Sequence, residues 1–161
     1  QIKSNVKGWH SNEFDLKDKN LKTFITEISK NIGAAVNDMN WDLESQLVKI
    51  TSMWSIINKK EAFNERHHHG GSALSAAYYV KAEPDSGEIV FFDPRQAYVF
   101  SHPISNKVNN INAQVQSVTP KTGTLILFPS YLEHKVNPNK SNKERIVISF
   151  NVSLIRKADL T

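Results

Sequence analysis

Between Asn20 and Met39 apolar residues recur at three- and four-residue steps. Leu21, Phe24, Ile25, Ile28 and Ile32 share one stripe, which Ala34, Ala35 and Val36 continue past Gly33. That period predicts an amphipathic helix over about 20–39, packed by its stripe against a sheet. After Trp41 the helical stripe is lost. Gln46 to Asn58 reads as a strand, with Val48, Ile50 and Ile56-Ile57 as its apolar positions. Further strands are predicted at Ala73–Lys81, Glu88–Phe92, Ala97–Phe100, Ala113–Ser117, Thr122–Phe128 and Arg145–Ser153, with a short extended piece at His134-Lys135-Val136. Glu-Pro-Asp-Ser-Gly, Asp-Pro-Arg, Pro-Lys-Thr-Gly and Asn-Pro-Asn-Lys-Ser-Asn separate them, all turn compositions. Many short strands with frequent turns predict a mainly β sandwich or barrel. With no repeat in sight, one domain over residues 1–161 is expected, its β core at about 46–153.

Composition narrows the function classes. Apolar residues make up 39% and charged residues 22%, the balance of a globular chain. No apolar run reaches the ~20 residues of a membrane span, and no secretory leader opens the sequence. The first residue is Gln1 rather than a methionine, so upstream sequence is expected. The chain has no cysteine, which excludes disulfides, thiolate zinc sites and cysteine nucleophiles and fits a reducing, cytoplasmic setting. The net charge of +4 comes from scattered lysines without interleaved aromatics, which reads as a solvated basic surface rather than a nucleic-acid interface.

The candidate chemistry is in the histidines. His67 and His69 are two residues apart; in an extended segment they face one side and His68 the other. Neutral imidazoles suit iron, zinc, copper or nickel. The bland alternative is an exposed histidine loop. His134 follows an apolar strand that ends in Phe128-Pro129-Ser130, and in a rolled-up sheet it can join the pair as a third ligand. On the last strand Arg145, Val147, Ser149 and Asn151 share one face. An arginine on an inward face needs an anion, and a carboxylate ligand accepts its fork. A surface ion pair with Glu144 is the alternative. His10, beside Trp9, could be a ligand but reads first as structural or exposed; Trp54, Phe91 and Tyr98 either line the pocket or pack in the core, with core the first reading. Ser130 lacks the Gly-x-Ser-x-Gly elbow of a nucleophile.

The combination resembles the 2-oxoglutarate and iron(II)-dependent oxygenases, and within them a group found in bacteria and marine phages. Ser4 to Ser11 (Ser-Asn-Val-x-Gly-Trp-His-Ser), Trp54, His67-x-His69 and Ser75 to Val80 (Ser-x-x-Tyr-Tyr-Val) carry the likeness. So do Asp93 to Arg95, Leu127 to Val136 and Glu144 to Asn151. The resemblance implies a double-stranded β-helix, the jelly-roll or cupin-like fold, with an N-terminal packing helix. It implies iron(II), 2-oxoglutarate and O2, with ascorbate as reductant in vitro. His67 and His134 would bind the metal. His69 would stand where a carboxylate is usual, with Asp93 in its turn read as structural. Arg145 and Tyr78 would hold the distal carboxylate of 2-oxoglutarate, with Tyr79 packing on the other face. Where a serine often follows the arginine by two residues this chain has Val147, a gap that Ser149 would fill.

The implied reaction is a dioxygenase's: hydroxylation of a substrate with release of succinate and CO2, in the cytoplasm of a bacterial or phage-infected cell. The substrate is not legible; Ala77-Tyr78-Tyr79 resembles prolyl hydroxylases, which makes a peptidyl residue such as proline the first expectation. Two rival readings are a cupin-like three-histidine metalloprotein that does not use 2-oxoglutarate, and a non-catalytic β-sandwich binding module. Oligomeric state is not readable from one chain.

Overall fold

The structure, a computed structural model, describes residues 4–95, 103–109 and 111–160. In chain order its strands are β1 (Asn5–Val6), β2 (Trp9–His10), β3 (Gln46–Asn58), β4 (Phe63–His67), β5 (Leu74–Lys81), β6 (Ile89–Phe92), β7 (Val115–Val118), β8 (Leu125–Pro129), β9 (His134–Val136) and β10 (Arg145–Arg156). One helix, α1 (Lys22–Asp38), lies between β2 and β3. The strands form two antiparallel sheets, ordered β1-β4-β9-β6-β7 and β2-β3-β10-β5-β8. This is the mainly β, double-stranded β-helix architecture with a packing helix that the sequence predicts. The predicted strand Ala97–Phe100, and with it Tyr98, lies outside the described residues.

The second sheet is covered on both faces. The helix begins after a short 3-10 turn that Asp18 caps by accepting the Asn20 N–H, and it ends where Asn40 turns into the left-handed region. Ile28, Ile32 and Val36 recur every four residues and are buried against Met53, Leu74, Ala76, Phe150 and Val152. Each such side chain contributes about 1.5–3 kcal/mol by leaving water. The opposite face looks into the space between the sheets. Directly opposed residues of antiparallel strands share a face. On that face β10 places Val147 between Ile56 and Tyr79, Ser149 between Trp54 and Ala77, and Asn151 between Ser52 and Ser75.

The first sheet closes over this space. Ile89, Phe91 and Phe128 form a small core between the sheets, with Phe91 and Phe128 edge to face at 4.9 Å. At the chain's start, β1 pairs with β4 and β2 pairs with β3, so a few residues clip the two sheets together. This strap and the pairing of β4 are the elements that hydropathy does not foretell. Their strands are two to five residues long and mostly polar. No helix among the described residues is long and apolar enough to cross a membrane.

Candidate metal centre

Two neighbouring strands bring the histidines together. His67 ends β4, His134 begins β9, and the two are register partners. Their rings lie 4.3 Å apart, centroid to centroid. His69 lies just beyond β4, where its backbone N–H donates to the Ser130 carbonyl at 2.9 Å. The prospective ligand atoms of all three lie within 4.8 Å of one another. His68, between the pair, is exposed.

The backbone also sets which nitrogen faces the site. His67 Nδ1–H donates to the Glu65 carbonyl at 2.7 Å, and His134 Nδ1–H to the Leu132 carbonyl at 3.0 Å. Both rings are thereby held in the tautomer that leaves the Nε2 lone pair free, the form a metal ligand needs. Burial first, and the neighbouring histidines second, push His69 down to about 4. Burial and His67 push His134 down to about 3, and burial lowers His67 as well. At neutral pH the centre is three neutral imidazoles. Asp93 is not among them: its carboxylate holds Arg95 at 2.6 Å within the turn.

Arg145 opens β10 and is 1% exposed. Its Nη1 donates to the carbonyls of Ser86, Gly87 and Asn137. Among the described residues no carboxylate pairs with it, and Nε and Nη2 have no partner. Burial accordingly lowers its pKa. A buried guanidinium without an anion is expensive to keep, so this one marks an anion site. Gly87 makes the arrangement fit. Its φ is +91°, and a Cβ there would lie 2.2 Å from the Asn137 carbonyl and 2.6 Å from Arg145 Nη1.

The three histidines and Arg145 line one cavity of about 450 Å³, together with Tyr79, Ser149 and Trp54. Ser149 lines the cavity on the face of Arg145 and Val147. The tyrosines are reversed. Tyr78 packs against Phe24 of α1, ring centroids 5.1 Å apart, while Tyr79 faces the cavity beside Arg145. Strand alternation dictates this: Tyr79 is opposite Val147, on the face that carries Arg145, and Tyr78 is opposite Ile148. Trp54, for which pocket lining is the second reading after core, and His10 both line the cavity. His10 stacks on Trp54 at 5.8 Å, and Trp54 lies 6.0 Å from His69. The signal for Trp54 was in the register: it is opposite Ser149, on the inner face.

Three converging neutral nitrogens fit a divalent transition metal such as iron(II), and three protein ligands leave positions for exogenous ones. The sequence family described as "Putative 2OG-Fe(II) oxygenase" matches residues 52–151, more than half of the chain. Among solved structures, the chain is similar to the viral collagen prolyl hydroxylase of Paramecium Bursaria Chlorella virus-1 in its 2OG complex. The identity is 18% and the TM-score 0.61, over 93% of this chain and 80% of that one. It is also similar to the Trichoplax adhaerens prolyl hydroxylase in complex with a hypoxia inducible factor oxygen degradation domain peptide fragment: 15%, TM-score 0.60, over 99% and 67%. Against an oxidoreductase of the 2OG-Fe(II) oxygenase family from Burkholderia pseudomallei it is 16% identical with a TM-score of 0.51. There 66% of this chain is covered, and it spans 43% of that protein. No curated protein sequence matches. The family match spans both metal-site strands and Arg145, and the chain therefore belongs to the 2OG-Fe(II) oxygenases, a family of oxidoreductases that use iron(II), 2-oxoglutarate and O2.

Proposed function

We propose that the chain is a 2-oxoglutarate-dependent dioxygenase that hydroxylates a peptidyl residue, with proline the first choice. One observation carries the reading: three converging imidazoles and a buried guanidinium that pairs with no carboxylate among the described residues line a single cavity. His67, His69 and His134 would hold the iron. Arg145, whose Nη1 is taken by backbone carbonyls, would offer its remaining N–H groups to the distal carboxylate of 2-oxoglutarate. Tyr79 adds a third donor. Burial pushes its hydroxyl up to about 12, so it stays protonated and donates at neutral pH. Ser149 lies on the same face, in the row next to Val147. Val147, Ile89 and Phe128 give the cavity apolar walls that limit water. When bound, iron(II) and 2-oxoglutarate supply the oxidation: one atom of O2 goes to succinate as CO2 leaves, and the other goes to the substrate.

The peptidyl part rests on the likeness to the two prolyl hydroxylases. Its test is a panel of proline-containing peptides added to the iron(II)- and 2-oxoglutarate-loaded chain. A stimulated release of succinate, with one oxygen gained by the peptide in mass spectrometry, is the expected result. Uncoupled turnover that no peptide stimulates would leave the oxygenase standing and remove the peptidyl substrate.

A further inference from the structure

Ser4 lies far outside the family match at residues 52–151, yet its side chain reaches the metal centre. Its carbonyl accepts the Glu65 N–H at 2.9 Å, which ties the strap to β4 two residues before His67. Its Oγ lies 3.4 Å from His67 Nε2. His67 Nδ1–H is committed to the Glu65 carbonyl, so Nε2 carries a lone pair and the serine hydroxyl is the donor. Behind Ser4 stands a buried chain of amides. Asn58 Nδ2 donates to Asn64 Oδ1 at 3.3 Å, and Asn64 Nδ2 donates to Ser4 Oγ at 3.2 Å. Asn58 and Asn64 are 1% and 5% exposed. Every donor in this chain points toward the histidines. The accepting side of the hydroxyl is occupied, and its proton is directed at the site.

An ion on Nε2 takes the lone pair that the hydroxyl uses. The proton of Ser4 then needs a new acceptor in the same place. We infer that Ser4 is a positioning residue: with an ion on the three histidines, its hydroxyl donates to an anionic ligand that shares the ion with His67. The inference rests on the metal-centre reading. The acceptor's class is a small anion or a carboxylate. Three imidazoles bring no negative charge of their own, so an anion meets no repulsion, and one directed donor decides which position it takes.

Cobalt(II) and azide test this without turnover. The full chain, its Ser4→Ala and Ser4→Thr variants, and Ser4→Val, which has the shape of threonine without the hydroxyl, are loaded with cobalt(II) and titrated with azide. The titration is followed by visible absorption. All forms should bind one equivalent of cobalt(II). Azide affinity should fall about fivefold to tenfold in Ser4→Ala, the range for losing one hydrogen bond, with a shifted absorption band. Ser4→Thr should restore both, and Ser4→Val should behave as Ser4→Ala. Unchanged azide affinity and spectrum in Ser4→Ala and Ser4→Val overturn the inference, as does a wild-type cobalt form that takes no azide. Loss of cobalt from the folded alanine variant also overturns it, by making Ser4 a ligand. A wild-type chain that takes no cobalt at all removes the metal centre itself, which is a separate failure.

Discussion

Tyr79 and Arg145 meet on the inner face of the second sheet, each within the other's field. Replacing Tyr79 by phenylalanine keeps the ring and removes a donor to a carboxylate. The expected effect is a rise of about tenfold in KM for 2-oxoglutarate with kcat little changed. Tyr78→Phe, on the helix side, should leave both constants alone; the reverse pattern in steady-state kinetics would contradict the facing assigned here. The histidines give a second prediction, for the metal-free chain. His134 ordinarily titrates near 6.5 and is pushed down to about 3. Between those values the unfolded chain binds a proton that the folded chain does not, so stability falls as pH falls. The slope from this residue is about 1.4 kcal/mol per pH unit. Urea unfolding between pH 6 and pH 4 should be less pH-dependent by about that amount in His134→Gln.

At the scale of elements, what hydropathy could show was strand and helix identity. The stripe from Phe24 to Val36 and the strands at Gln46–Asn58 and from Arg145 onward appear where predicted, the last running past Ser153 to Arg156, although β3 buries only Met53 of its apolar residues and leaves Val48 exposed. The strap is different. It buries almost nothing apolar and is fixed by pairing with β3 and β4, a tertiary fact with no local period. The turn between β5 and β6 was legible as a turn but not as a support. Gly87 there combines a left-handed φ with contact to Arg145 and the Asn137 carbonyl. Gly87→Ala should therefore destabilise the chain by about 1–3 kcal/mol and weaken 2-oxoglutarate binding together. A denaturation midpoint and cosubstrate affinity both at wild-type values would show that the turn does not hold the arginine.

Over the whole molecule, the site is assembled from segments far apart in sequence: the strap, β3, the β4 end, β5, β9 and β10. The histidines and Arg145 were legible because their chemistry is unusual for a core and their spacing resembles a known family. The tyrosine facing was misread because it was carried over by likeness, while the pairing of β5 with β10 that decides it is a tertiary fact. Trp54 and His10 carry no local mark that separates a cavity wall from packing, and only the closed sheets reveal them. The central claim is that this assembly turns over 2-oxoglutarate through a carboxylate held by Arg145. Its most direct test is succinate release from 2-oxoglutarate with iron(II), ascorbate and O2, wild type against Arg145→Ala. The account predicts turnover in the wild type and a loss of at least about a hundredfold in kcat/KM in the variant, the scale for removing a buried charge-assisted pair. Equal turnover in the two, with both folded and loaded with iron, would contradict it.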